Sequence, residues 1–472
     1  MKTNPVHPHG RTKVLRYEYT RAIANARGRA YTRAGGYARA LAVLILVPLL
    51  LVTAAAMVPI GKPEEVGFSS ERLQRINQVI QRAIDAKQIA GAVTVVARRG
   101  KVAHFEAQGM MDLEAKTPMR KDAIFRMASM SKPVTGVAIM MLLEEGKVRL
   151  NDPVSRFIPE FKDTKVAIAQ PAPAPAAAPG STAPGATAPA GRGRGGRGAV
   201  PQEITLVPAT RAITVRDLLT HTSGLESGGA GSREGGRIAP RDTKSNLAEY
   251  IPKLGGVPLD FQPGTEWRYS ALAGMETLGR IVEVASGLTF DQFLKQRIFD
   301  PLGMKDTGFF PTDDKLSRVA TQYGRQDGAL QREDTPSWLA TKTLFSGCGG
   351  LWSTPEDYLQ FAQMLVNGGQ LNGKRLLSPR TVDLMSSNHL GDLYAKGGRS
   401  GMGWGLSVEV VVDPVAANRR TSAGSFGWDG AFGTHFWVDR KEQITGILLI
   451  QQGVQSQLNR DFENAVMQAI VD

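Results

Sequence analysis

Strand patterns lie at both ends of this 472-residue chain and helical patterns lie between them, which limits the folds that it can adopt. Residues 91–109 predict two strands around a tight turn. Further strands are predicted over residues 405–412, 431–438 and 443–451. Helical periodicity dominates from about residue 131 to 299. The simplest fold is a two-lobed α+β molecule, in which an antiparallel sheet from the N- and C-terminal segments is flanked by helices and carries an inserted, mostly helical lobe.

Capping residues predict where several helices begin and end. A helix begins at Ser70, and another ends at Gly287, a residue type that readily adopts the left-handed conformation of a helix C-terminus. A third helix starts at Thr354, whose hydroxyl can cap the first turn while Asp357 reaches back to the cap. A last helix covers about residues 460–471. A cleft between the two lobes would be the natural functional site.

The first 60 residues predict a targeting segment. Residues 1–39 carry nine basic residues and one acid, and residues 40–60 have no charge and are mostly apolar. Small residues at 54–56 indicate a cleavage site, so a secretory signal peptide is one interpretation. An uncleaved membrane anchor is the other, because about 20 apolar residues cross a bilayer. Both predict export, either to the periplasm or anchored to the inner membrane, and only the anchored form would contact the membrane.

A Pro/Ala/Gly-rich segment interrupts the remainder of the chain. Between residues 171 and 199, 23 of 29 residues are Pro, Ala or Gly, a composition that buries too little apolar surface to order itself. We therefore predict one domain over residues 61–472, with a disordered insertion at about 165–203.

Composition excludes several classes of function. The formal net charge of +13 is concentrated in the N-terminal arm, which argues against a nucleic-acid partner. The single cysteine, Cys348, excludes an internal disulfide framework, and the chain has no H-E-x-x-H motif. We therefore expect no metal and no organic cofactor. Cys348 is interpreted as a small packed side chain, His221 as a structural residue that binds loop backbone, and His435 could serve either role.

One short motif can carry nucleophilic chemistry. The chain has no G-x-S-x-G, but it contains one S-x-x-K, Ser129-Met130-Ser131-Lys132. On a helix, residues three apart share a face, so Ser129 and Lys132 would meet. A lysine amine can serve as the base for a serine hydroxyl where its surroundings disfavour the charged form. The bland alternative for the isolated motif is a helix start with a capping serine and a solvated lysine.

Five sequence blocks, in this order, resemble the β-lactamase-like serine hydrolases. The resemblance covers about residues 66–472 without the insertion and implies the β-lactamase/transpeptidase-like fold. That superfamily includes class C β-lactamases, family VIII carboxylesterases and D-amino-acid peptidases. The blocks contain RMASMSKPVTG, LLTHTSGL, PGTEWRYSALAGMETLGRIVEVASG, SGCGGLWSTPEDYLQFAQMLVNGG and GWDGAFGTHFWVD.

The resemblance also implies a set of site residues. Ser129 would be the nucleophile, Lys132 its base, and Tyr269 the tyrosine that shares in the proton transfers. The family's K-T-G box on the edge strand is similar to residues 428–430 here. By the same match, the backbone N–H groups of Ser129 and Ala431 would form the oxyanion hole.

Two departures from the family pattern bear on the substrate. Ala271 stands where the family has the asparagine of Y-x-N, and Trp428 stands where it has the lysine of K-T-G. A β-lactam carries an amide and a carboxylate, so both changes weaken that interpretation. The W-x-G pattern is typical of the esterase branch, although Asp429 before Gly430 is unusual there. Trp428, Asp429, Gly430 and Ala271 are the predicted substrate-binding residues.

These observations predict an exported serine hydrolase that acts as a carboxylesterase through an acyl-serine intermediate. Its partner would be a small-molecule ester or amide. The first alternative is a β-lactamase or D-amino-acid peptidase that acts on cell-wall material. The second is a non-hydrolytic envelope sensor or binding protein.

Overall fold

An antiparallel sheet of eight strands joins the two ends of the chain in the computed structural model. Its order is β4-β5-β6-β7-β8-β1-β2-β3, so that the last strand of the chain pairs with the first. Val93 lies opposite Leu449 in this central pairing, and Val95 lies opposite Ile447. The strands are β1 (Gly91–Arg98), β2 (Lys101–Asp112), β3 (Thr117–Pro118), β4 (Met402–Trp404), β5 (Glu409–Val411), β6 (Phe426–Asp429), β7 (His435–Asp439) and β8 (Ile444–Leu449). The predicted sheet built from both chain ends is confirmed.

The structure describes residues 57–170, 203–242, 244–334 and 342–472. They belong to one compact unit, Ala55–Asp472. None of the helices within these ranges has the length and apolarity of a membrane span. Almost all of the predicted signal or anchor at residues 40–60 lies outside the described residues.

Ten helices in the described ranges cover the sheet and build the helical lobe. Helix α7 continues through a π-helical turn, Lys295–Phe299, to Asp300–Leu302. The helices are α1 (Ser70–Asp85), α2 (Ser131–Glu144), α3 (Val215–Leu219), α4 (Ala230–Ile238), α5 (Leu247–Leu254), α6 (Ala273–Ser286), α7 (Phe290–Leu294), α8 (Pro355–Val366), α9 (Pro379–Met385) and α10 (Ser456–Met467).

Helices α1 and α10 pack together on one face of the sheet. The apolar side chains of α1 repeat with helical spacing, and Leu73, Ile76 and Ile80 are buried against Phe462 and Val466 of α10. The Ser69 hydroxyl accepts a hydrogen bond from Arg72 N at 3.3 Å, so the helix begins at Ser70 as predicted. This layer closes one face of the sheet with an apolar core.

The other face of the sheet carries α8 and the main hydrophobic core. Helix α2 is buried along nearly its whole length, from Ser131 to Leu142, and packs against α6 of the helical lobe. Helix α6 in turn contacts α3, α5 and α7, and it ends at Gly287, whose φ is 78°. The buried helix α2 therefore connects the sheet to the inserted lobe.

Four two-stranded ladders lie outside the main sheet in the described ranges. One of them corrects the predicted start of the disordered insertion at about residue 165. Lys165–Ala169 forms a strand paired with Ile204–Pro208, and Ala167 N donates to Leu259 O at 2.9 Å. The segment between them, residues 171–202, lies outside the described residues. The other ladders are Phe125–Arg126 with Trp352–Ser353, Tyr323–Gln326 with Ala329–Arg332, and Gln370–Leu371 with Lys374–Arg375.

Two predicted strands differ from the observed ones. Residues 405–408 form a bend between β4 and β5, although a continuous strand was predicted over 405–412. Residues 431–434 form a turn between β6 and β7, although a strand was predicted from 431. In that turn Gly430 N donates to Thr434 O at 2.7 Å, which ends the ladder one residue after β6.

One buried arginine ties both ends of the domain to the sheet. Arg98, 2% exposed, donates to the carbonyl oxygens of Val66 (3.0 Å) and Gly67 (2.9 Å). It also binds the carboxylates of Glu442 at 2.9 Å and Asp472 at 2.7 Å. Removing the guanidinium would leave the buried Val66 O without this donor, whereas Gly67 O would still accept from Val471 N at 3.0 Å.

We expect Arg98→Ala to lower the free energy of unfolding by about 3 kcal/mol, because it leaves Val66 O without this donor and breaks the ion pairs of a buried arginine with Glu442 and Asp472. Chemical denaturation of the full chain measures the change. The control is Arg99→Asn at the neighbouring position, where the arginine also binds Asp472 but is 46% exposed. Asparagine tolerates the φ of 51° at that position, so the change should stay below about 1 kcal/mol. Equal losses in both variants would contradict the role of Arg98.

Candidate active site

Ser129 lies in the short helical turn Ala128–Met130, directly before α2. It is partly exposed, whereas its neighbours Ala128 and Met130 are buried. Ala128 has a φ of 45°, a left-handed conformation that is costly for a residue with a Cβ. The turn therefore presents the Ser129 hydroxyl to solvent at the start of a buried helix.

Lys132 is completely buried in the first turn of α2, although it is a lysine. Its Nζ lies 3.2 Å from Ser129 Oγ, 2.9 Å from Ala271 O and 3.1 Å from Cys348 O. The two carbonyl oxygens can only accept, so each fixes one N–H of the amino group. The third direction points to Ser129. There an ammonium would donate to the hydroxyl, and a neutral amine would accept its proton.

Tyr269 lies on the other side of the amino group. Lys132 Nζ is 4.8 Å from the centre of the Tyr269 ring, and the Tyr269 hydroxyl accepts a hydrogen bond from Trp428 Nε1 at 3.2 Å. The structure thus brings the predicted hydroxyl, amine and phenol together around Lys132, from residues about 140 positions apart.

His221 packs beside Tyr269 and binds the neighbouring backbone. Burial lowers the pKa of His221 well below its usual range, and nearby Lys132 lowers it further. The neutral ring accepts a hydrogen bond from Ser270 N at its Nδ1 (3.3 Å), and it packs 4.6 Å from the Tyr269 ring. This geometry agrees with the interpretation of His221 as a structural residue that binds loop backbone.

The end of β6 forms a wall of the candidate active site beside the Ser129 turn. Strand β6 pairs with β5 only at Phe426 and Gly427, so the edge at Trp428 and Asp429 is uncovered on that side. A Cβ on Gly430 would lie 2.4 Å from Met127 O, which means that only glycine permits this approach to the chain before Ser129. The predicted box therefore lies beside the nucleophile turn, within an internal strand of the sheet.

Asp429 is not directed to Ser129, in contrast to its prediction as a substrate-binding residue. Side chains alternate along a strand, so Trp428 faces Tyr269 and Asp429 faces the opposite side of the sheet. There its Oδ1 lies 2.5 Å from His435 Nδ1. The predicted His435 strand is correct, but the imidazole belongs to that second face.

Ala431 lies in the turn after β6 and is exposed. The turn is closed by Gly433 N, which donates to Gly430 O at 2.9 Å. The role of the Ala431 N–H in an oxyanion hole stays a prediction, as do the roles of Ser129, Lys132 and Tyr269.

Two contacts of the site were missed from the sequence. Ala271 was singled out for its missing amide, yet it contributes its carbonyl oxygen to Lys132. Cys348 does the same through its carbonyl, while burial raises the pKa of its thiol to about 11. A thiol of this kind is a poor nucleophile. Backbone acceptors leave no trace in residue type, so only the neighbouring S-G-C-G-G block hinted at this contact.

An aromatic cluster surrounds the phenol. Trp428 packs edge-on against Trp404 with ring centres 4.6 Å apart, and it lies 5.4 Å from Tyr269. Arg399 lies over the rings of Trp267 and Tyr394 at 4.7 and 4.9 Å. No cluster of histidine, cysteine or carboxylate side chains suited to a metal occurs within the described ranges.

Known proteins share this fold over most of the chain. The β-lactamase family profile matches residues 76–466. Protein Rv1367c of Mycobacterium tuberculosis (strain ATCC 25618 / H37Rv) is 35% identical over 384 residues, which cover 79% of this chain and 88% of that protein. Esterase EstB of Burkholderia gladioli is 28% identical over 402 residues, covering 79% and 89% of the two chains.

A solved structure of a hydrolase shares the fold of this chain. EstCE1, a hydrolase with promiscuous acyltransferase activity, superposes with a TM-score of 0.68 at 25% identity, covering 84% of this chain and 99% of that chain. The α+β sheet, the buried helix α2 and the family match lead to one conclusion. The chain belongs to the β-lactamase family of serine hydrolases and is an enzyme with the β-lactamase/transpeptidase-like fold.

Proposed function

We propose that this protein is an exported carboxylesterase that works through an acyl-serine intermediate. The observation that carries the proposal is the buried amino group of Lys132, 3.2 Å from Ser129 Oγ, with its other contacts taken by carbonyl oxygens. A neutral amine held in this way has its lone pair directed at the serine hydroxyl. Geometry thus favours removal of the Ser129 proton as the substrate carbonyl is attacked.

The first half-reaction forms the acyl-enzyme. Ser129 Oγ bonds to the ester carbonyl carbon while its proton passes to Lys132, and the N–H groups of Ser129 and Ala431 receive the negative oxygen. The C–O bond to the alcohol then breaks. Tyr269, which lies beside Lys132, gives its phenol proton to the leaving alkoxide and takes up the proton that Lys132 received, so both groups return to their starting forms.

The second half-reaction regenerates the serine. Water attacks the acyl carbon and gives its proton to the same amine–phenol pair. The bond to Ser129 Oγ breaks, the oxygen recovers a proton and the carboxylic acid leaves. One ester and one water thus become one acid and one alcohol, without a cofactor.

The wall beside the nucleophile favours uncharged substrates. Trp428 replaces the cation that a substrate carboxylate would need, and its indole packs with Trp404 and Tyr269. Aromatic side chains offer apolar area to an acyl or alcohol group. The similarity to esterase EstB supports the same substrate class. Because the chain is an enzyme of this family, the alternative of a non-hydrolytic sensor has no support.

We expect Ser129→Ala to reduce turnover of p-nitrophenyl acetate and p-nitrophenyl butyrate about a thousandfold or more, because the acyl group then has no oxygen to join. Initial rates of the purified protein measure the effect. Cys348→Ala is the matched control: it removes the buried thiol and should keep most activity. Substantial turnover by Ser129→Ala would exclude the proposed mechanism.

A substrate panel distinguishes the esterase from its nearer alternative. Nitrocefin and a D-alanyl-D-alanine peptide are compared with the two p-nitrophenyl esters at equal enzyme concentration. We expect kcat/KM for the esters to exceed that for either cell-wall-type substrate. The opposite order would favour a β-lactamase or D-amino-acid peptidase that uses the same serine.

Two substitutions test whether Lys132 acts as a base or only as a fixed positive charge. Lys132→Arg keeps a cation that cannot release a proton, and Lys132→Met keeps the length of the chain without a charge. Both should lower kcat about 100-fold or more. Lys132→Met should still unfold at the same or higher temperature, since it removes a buried polar group. Activity retained in Lys132→Arg would show that the amine is not the base.

Export rests on the basic arm and on the uncharged residues 40–60. The chain should leave the cytoplasm of a bacterial host, and N-terminal sequencing of the exported form tests how. A start near Met57 indicates a cleaved signal peptide, whereas an intact N-terminus in the membrane fraction indicates an anchor. Full-length protein found only in the cytoplasm would contradict export.

A further inference from the structure

A cavity of about 450 Å³ lies on the face of the sheet that points away from Ser129. Strands β5, β6 and β7 form its floor, and α10 and the chain before β6 form its walls. Its size is within the range of small-molecule sites, about 300 to 1,000 Å³. Trp428 and Asp429 both line this cavity, and Trp428 also donates to the Tyr269 hydroxyl of the candidate active site. The cavity therefore shares Trp428 with that site, whereas Ser129, Lys132 and Tyr269 do not line it.

Several residues that line this cavity carry buried polar atoms without a hydrogen-bond partner in the described part of the chain. Their side chains belong to α10, to β7 and to the chain before β6, so three separate elements contribute them. All except Arg419 are less than a tenth exposed. Buried polar groups in native proteins are normally satisfied, so such a set indicates a missing partner. The atoms are Arg419 Nε, Thr421 Oγ1, Ser425 Oγ, Trp437 Nε1, and both Nδ2 and Oδ1 of Asn459.

The composition of this set favours a ligand rich in oxygen. The nitrogen atoms of Arg419, Trp437 and Asn459 can only donate, and the two hydroxyls can donate or accept. His435 is not one of them, because its Nε2 forms an ion pair with Glu463 Oε1 at 3.2 Å. Donors thus outnumber acceptors, which is the complement of a carboxylate or of a chain of hydroxyls.

The charges around the cavity leave an excess of positive charge. Burial would lower the pKa of His435, but Asp429 and Glu463 raise it to about 9, so the imidazole is charged at neutral pH. Glu463 also pairs with Arg419. The carboxylates of Asp429 and Glu463 are therefore balanced by two cations, His435 and Arg419.

Further charged residues lie at the rim. Arg399 and Arg460 line the cavity, and neither has a carboxylate within 4.0 Å in the described residues. Glu409 also lines it and accepts from the Tyr394 hydroxyl; burial raises the pKa of this carboxyl. The excess of cations favours a ligand with at least one negative charge.

We propose that this cavity binds a small hydroxylated carboxylate, with its hydroxyls on Thr421, Ser425 and Asn459 and its negative charge near the arginines. Water alone would need many molecules, since each occupies about 30 Å³. The proposal does not depend on the esterase reaction, because Thr421, Ser425 and Asn459 are not among the polar contacts of Lys132, which are Ser129, Ala271 and Cys348.

Isothermal titration of the full chain with D-glucuronate and D-gluconate tests the proposal. D-glucose and D-sorbitol are the neutral matches, and inorganic phosphate is an anion without the hydroxyl chain. We expect at least one of the two carboxylates to bind saturably and at least about tenfold more tightly than its neutral match and than phosphate. No saturable binding of either carboxylate, or equal binding of the neutral match or of phosphate, would overturn the proposal.

Two variants locate the binding. Asn459→Leu keeps the side-chain size and removes two unpartnered atoms, so it should fold as well as the parent and weaken binding at least about tenfold. Thr421→Val is a second, near-isosteric variant with the same expected direction. Gln457→Leu, on the same helix but outside this cavity, should leave the affinity within about twofold. Unchanged affinity in both Asn459→Leu and Thr421→Val would show that the ligand binds elsewhere.

Discussion

The buried amino group of Lys132 is the contact on which the site depends. It joins the nucleophile turn at Ser129, the loop before α6 through Ala271 O, and the turn before Trp352 through Cys348 O. These three segments come from distant parts of the sequence. A lysine is stable in a buried position only when its donors are satisfied. The same hydrogen bonds that make its burial tolerable also direct the amine at the serine.

Strand β6 connects this site to the second face of the sheet. Because side chains alternate along a strand, Trp428 reaches the phenol of Tyr269 while Asp429 reaches His435 on the other side. The glycine that follows passes close to Met127 O, where any Cβ would collide. Three consecutive residues therefore serve three different purposes: an aromatic wall, an ion pair at the cavity, and a close approach of two backbones.

Local patterns predicted much of the fold. The helix start at Ser70, the helix end at Gly287 and the turn between β1 and β2 follow from capping and turn chemistry, which act within a few residues. Helical spacing predicted that Ser129 and Lys132 could meet, but the family resemblance was needed to favour this over a capping serine with a solvated lysine. Tyr269 and the wall at β6 required the family resemblance, because no local pattern fixes contacts between distant segments.

The predictions that differ from the structure failed where contacts between distant segments compete with local patterns. Thr354 caps α8 as predicted, but the Asp357 carboxylate binds Asp306 N at 2.7 Å, since a tertiary partner competes with the local cap. The direction of Asp429 could not be predicted, because neighbouring side chains in a strand face opposite sides and the sequence does not fix which side is which. The strand predicted at residues 431–438 begins only at His435, because Gly430 and Gly433 permit a turn at residues 431–434.

The proposed chemistry depends on acylation of Ser129 within reach of Lys132 and of the turn after β6. A crystal structure of the protein after reaction with a p-nitrophenyl phosphonate, a stable mimic of the tetrahedral intermediate, tests it most directly. We expect phosphorus bonded to Ser129 Oγ, with one phosphoryl oxygen within hydrogen-bond distance of both Ser129 N and Ala431 N. Phosphorus on another residue, or an oxygen directed away from both N–H groups, would contradict it.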